Sequence, residues 1–151
     1  MDIIYKERLL KLADFLETRV PEANFDLSRF AESNNDNSIE EQSSFEKDLL
    51  EGKCGAVACA IGWCPIVFPE DFMYINDLWH MPDIVHIGSS YKNFSAAREF
   101  FNLHGNEVSF LFDWEGWELK ENDPSPTPKE VAERIRYFVN SKLNDPHWSI
   151  K

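Results

Sequence analysis

Apolar residues recur at helical spacing near both ends of the chain. From Ile4 to Val20, the residues Tyr5, Leu9, Leu12, Ala13, Leu16 and Val20 share one side and Lys6, Glu7, Lys11, Asp14 and Glu17 the other. This pattern predicts an amphipathic helix that Pro21 ends. At the far end, Thr127-Pro128-Lys129-Glu130 has the form of a capping box with proline at the first helical position. A helix with Val131, Ile135, Phe138, Val139 and Lys142 on one face should follow and end near Leu143, before Asp145-Pro146. Shorter helices are predicted over Phe45 to Leu50, with Phe45, Leu49 and Leu50 inward, over Ser95 to Leu103, and over Asn106 to Phe112. Phe25, Leu27 and Phe30 should pin an irregular segment to the core. Phe72 to Ile87 fits neither period and leaves short helices or a hairpin open.

Between these lies Lys53-Cys54-Gly55-Ala56-Val57-Ala58-Cys59-Ala60-Ile61-Gly62-Trp63-Cys64-Pro65, which holds all three cysteines and has no charge after Lys53. Small, uncharged residues at this density predict close packing and burial. The stretch reads as a central helix from Cys54 or Gly55 to Trp63, with Pro65 pushing Cys64 out of helical geometry and Ile66-Val67-Phe68 extended. It is too short for a membrane span, which takes about 20 apolar residues. The fold class expected is mainly α: a compact single-domain bundle of five or six helices around this short central one, with a minor extended segment near 66–87. Its length of 151 residues suits one domain.

The net charge of −12 disfavours direct nucleic-acid binding and anionic membrane surfaces. Most of this charge gathers in two places. From Pro21 to Glu51 nine acids face two bases, around an exposed, mobile polar loop expected at 31–44 that includes Glu40 and Glu41. From Glu107 to Pro124 six acids face one base, around a loop at 113–126 that carries Trp114 and Trp117. The odd, small cysteine count and an N-terminus without the basic start and apolar run of a signal peptide imply a cytoplasmic protein.

The Arg8-Leu9-Leu10-Lys11-Leu12-Ala13 helix, Phe25-Asp26-Leu27-Ser28, Cys54-Gly55-x-x-Ala58-Cys59-Ala60-x-Gly62-Trp63 and Thr127-Pro128-x-Glu130-Val131-Ala132-x-Arg134-Ile135 together resemble a group of small bacterial and phage proteins. The layout matches over most of the chain, and the cysteine-glycine stretch is its most specific part. The long acidic loop and Cys64 depart from the group's pattern and mark an elaborated member. The resemblance implies no reaction, since none is assigned to the group, and it permits a phage or mobile-element origin.

Cys54 is the one candidate nucleophile, because a thiol at a helix N-terminus beside Lys53 is placed where its pKa falls. A cysteine hydrolase or transferase would pair it with a histidine, and His80, His86 and His104 are the candidates, His80 foremost. The nucleophile context of papain-like enzymes is not met here. Cysteines five apart on a helix point about 140° apart, so Cys54, Cys59 and Cys64 cannot converge on one ion, and no metal or cofactor is expected. Walker, Rossmann and serine-hydrolase signatures are absent.

The favoured reading is a small acidic interaction module or inhibitor, of the phage-encoded kind that the resemblance permits, directed at a host protein with a basic surface. It would bind through Asp113, Trp114, Glu115, Trp117 and Glu118, with Glu40 and Glu41 in the earlier loop. The competing readings are the Cys54 enzyme and a structural or oligomeric accessory protein.

Overall fold

A computed structural model describes residues 1–33, 42–52, 56–75 and 81–150, and the chain is mainly α-helical. Helix α1 spans Ile3–Arg19 and buries Leu9, Leu12, Ala13 and Leu16, one stripe of a 3.6-residue repeat. It stops where Val20, ahead of Pro21, turns extended. Helix α6 spans Pro128–Asn144. Its capping box is formed: Glu130 N–H donates to Thr127 Oγ1 at 3.1 Å and Thr127 N–H to Glu130 Oε1 at 3.0 Å. These two long helices lie along each other, and Arg136 of α6 bridges Asp14 and Glu17 of α1 at 2.8 and 2.6 Å.

Helix α2 spans Gln42–Leu50, α4 spans Phe94–Phe101 and α5 spans Gly105–Phe112. Phe45 and Leu49 of α2 are buried, but Leu50 is 56% exposed and does not face inward as expected. Adjacent helical residues differ by about 100° in direction, so Leu49 and Leu50 cannot share one narrow face. The segment left open in the sequence is a hairpin. Strand β3, Phe72–Ile75, pairs antiparallel with β4, Asp83–His86, setting Phe72 opposite His86 and Tyr74 opposite Ile84. Phe72 and Tyr74 alternate inward, as a half-buried strand requires.

The cysteine-rich stretch differs most from expectation. It is not one helix over 55–63. Ala56–Val57 forms strand β2, antiparallel to β1 at Glu32–Ser33, and helix α3 runs Ala60–Val67 with Cys59 as its N-cap. Pro65 lies inside α3 rather than beyond it, so Cys64 is helical and Ile66-Val67 is not extended. Pro65 has no N–H for the carbonyl four residues back, yet the helix continues, closing with Phe68 N–H on Cys64 O at 2.7 Å. Burial overrides that loss, because Ala60, Ile61, Gly62, Trp63, Cys64, Pro65 and Val67 are all buried. Within the span 31–44 expected as a polar loop, Ala31 is buried, 32–33 is strand and α2 begins at residue 42. Residues 34–41, including Glu40 and Glu41, lie outside the described residues.

Segment 24–31 is laid against this strand and helix. Ala58 N–H donates to Asn24 O, Asp26 N–H to Ala58 O and Cys59 N–H to Arg29 O, at 3.1, 3.3 and 2.7 Å. Asn24 Nδ2 donates to Ala56 O at 2.7 Å, and Tyr74 hydroxyl to Gly62 O at 2.6 Å. A β-carbon on Gly62 would stand 1.5 Å from Phe30 O, so only glycine lets α3 approach this closely. Gly62→Ala should therefore cost about 3 kcal/mol or more, lowering the melting temperature by about 10 °C. Gly105→Ala, where an added β-carbon meets nothing within 4 Å, should stay within about 1 kcal/mol of wild type. Thermal denaturation followed by circular dichroism compares the two.

Candidate functional site

The five predicted partner residues Asp113, Trp114, Glu115, Trp117 and Glu118 fall on one turn between α5 and α6. Asp113 caps the end of α5, and a 3-10 turn follows at Glu115–Trp117. Trp117 N–H donates to Asp113 O at 3.2 Å, closing the turn. Gly116 rests on the last turn of α5, where a β-carbon would lie 1.8 Å from Ser109 O. Glu118 ends the turn in the left-handed region, with φ of 54°.

Trp117 is held from two sides. Its indole N–H donates to Leu111 O at 3.1 Å, and the Arg134 guanidinium lies 3.6 Å from its ring centroid. The same guanidinium lies 4.5 Å from the Phe110 ring and donates from Nη1 to Phe110 O and Gly116 O, at 2.9 and 3.1 Å. Arg134 thus clamps the turn onto α5. Burial lowers its pKa from the usual guanidinium value and nearby Glu118 works the other way, so it remains charged near neutrality. Trp114 faces a different crevice, of about 130 Å³, that Leu27, Phe30 and Phe94 also line.

Several acids elsewhere are held by cations. Arg136 holds Asp14 and Glu17, Lys142 holds Glu107 at 2.8 Å, Lys92 holds Asp83 at 3.8 Å, and Arg29 lies 3.5 Å from both Asp26 and Glu32. Among the described residues, no ion pair within 4 Å engages Asp113, Glu115, Glu118, Glu121 or Asp123. Glu115, Glu118, Glu121 and Asp123 are exposed. The turn therefore presents carboxylates in water beside the Trp117 indole, which the fold holds in place.

Of the enzyme candidates, only His86 and His104 are among the described residues. Cys54 and His80 lie outside the described residues, as do Lys53 and Gly55. Cys59 and Cys64 are buried: burial pushes the Cys59 thiol from 9.0 to about 11 and the Cys64 thiol well above its ordinary value. Neither is a thiolate near neutral pH. His86 Nδ1 lies 2.6 Å from Glu99 Oε1, with its ring against Phe72 and Phe100, and His104 is the N-cap of α5. Among the described residues, no group of three His, Cys, Asp or Glu side chains could share a metal ion, and no helix is long and apolar enough to cross a membrane. A cleft of about 540 Å³ along α4, lined by Tyr91, Arg98 and His104 among others, contains none of the predicted partner residues.

Sequence reasoning passed over Arg134, Phe110, Tyr137 and Trp148 as a group. The available signal was Arg134 itself, a cation between Val131 and Ile135 on the flank of an apolar stripe. No protein-family model, no curated protein and no solved structure matches the chain. Arg134→Lys keeps the charge but loses the planar fork that reaches two carbonyls and two rings, and should destabilise the fold by about 2 kcal/mol. Chemical denaturation with tryptophan fluorescence measures this, and a loss below about 0.5 kcal/mol, the range of an ordinary surface change, would remove the clamp from the account.

Proposed function

We propose that the chain is a single helical domain, with its helices gathered around α3, that acts as a protein-interaction module or inhibitor. It docks on a host protein with a basic surface through Asp113, Trp114, Glu115, Trp117 and Glu118. The observation that supports this reading is the run of exposed carboxylates, without ion-pair partners among the described residues, beside Trp117, whose ring the Arg134 clamp holds in place. Exposed, unpaired charge steers an oppositely charged partner. A preorganised indole supplies contact area at low entropic cost. The net charge of −12 favours a protein over a phosphate backbone or an anionic bilayer.

Immobilised wild-type protein should retain a specific host protein at low salt and release it at high salt. The triple variant Asp113→Asn, Glu115→Gln, Glu118→Gln should bind the same protein at least about tenfold more weakly, with its melting temperature unchanged. Equal retention by wild type and variant, or no specific protein retained by wild type, overturns the reading.

A further inference from the structure

Beside the acidic turn, α5, α6 and the C-terminal tail enclose a groove of about 470 Å³, lined by Phe110, Trp117, Tyr137, Trp148 and Ile150 together with Glu118 and Arg134. Four half-buried or exposed aromatic rings, Phe110, Trp117, Tyr137 and Trp148, meet there on supports that the fold supplies. Trp117 is clamped as described. Trp148 packs edge-on against Tyr137 and Phe138, with ring centroids 5.9 and 5.8 Å apart, and a turn from Trp148 N–H to Asp145 O at 2.9 Å holds the tail in place. Tyr137 is 57% exposed and lies outside the core.

We infer that this groove seats an extended segment of the basic partner, with one bulky apolar side chain among Trp117, Tyr137 and Trp148 and an adjacent lysine or arginine at Glu118. The inference rests on the interaction reading above and names the segment that reading requires. Its size falls in the range of peptide and ligand clefts, and clustered aromatic residues are the usual anchors of an interface. Charge selects the occupant. Glu115 and Glu118 are exposed and lack ion-pair partners among the described residues, so they favour a cationic segment. Arg134 lines the groove and keeps its charge, but the five acids Asp113, Glu115, Glu118, Glu121 and Asp123 of the adjoining turn outnumber it and Lys120. A second copy of this chain brings its own net charge of −12 to the contact and is repelled.

The test titrates two peptides, acetyl-KKFKK-amide and acetyl-KKAKK-amide, into the full ¹⁵N-labelled chain and follows the backbone amides and indole N–H signals. The phenylalanine peptide should shift the Trp117 and Trp148 indole signals and bind about tenfold more tightly than the alanine peptide, the gain expected from burying one large apolar side chain. Tyr137→Ala should reduce that advantage without changing the melting temperature. Equal binding of the two peptides to wild type overturns the groove assignment while leaving a purely charge-driven interaction intact. If neither peptide binds, the groove and the basic-partner reading both fall. Shifts of the same signals on diluting the protein alone assign the groove to a second copy and overturn the inference.

Discussion

The approach of the Gly62 backbone to the Phe30 carbonyl is the contact on which the rest of the structure depends. It lets α3 lie directly against segment 24–31, where Cys59 N–H reaches Arg29 O and Trp63 Nε1–H reaches Asn24 O at 3.3 Å. From the other side Tyr74 of the hairpin bonds Gly62 O. A helix of eight residues with a proline inside it has little stability of its own. Its backbone is held by neighbours distant in sequence, and its side chains by burial.

Helix α6 distributes the cations that organise the outer face. Arg136 ties it to α1, Lys142 ties it to Glu107 of α5, and Arg134 fastens the turn at 115–117 through carbonyls and rings rather than carboxylates. The backbone of the turn is thus fixed, and among the described residues its carboxylates make no ion pair within 4 Å. The turn stays acidic because its five acids from Asp113 to Asp123 outnumber Lys120 and Arg134.

Local signals in the sequence were sufficient for α1, α4, α5 and α6. The Leu9-Leu12-Ala13-Leu16 stripe and the Thr127/Glu130 box each act within one or two turns, and both are formed. The cysteine-rich stretch was readable for burial but not for backbone state. The strand at Ala56–Val57 exists because Glu32–Ser33 lies beside it, a pairing that no local pattern announces. Pro65 read as a stop because its local penalty was weighed without the tertiary burial that offsets it. The acidic turn was legible as a set of residues. The Arg134 clamp was not, since its carbonyl partners lie 18 and 24 residues away. Cys54, His80, Glu40 and Glu41 fall outside the described residues.

The central claim is that partners meet this chain on the face built by α5, the acidic turn, α6 and the tail. Hydrogen–deuterium exchange on the full chain, alone and in complex with a captured basic partner, tests it most directly. The account predicts slowed exchange over 110–118 and 137–150, with the α4 cleft around Tyr91, Arg98 and His104 unchanged. Protection at that cleft, with 110–118 exchanging as in the free protein, would contradict it.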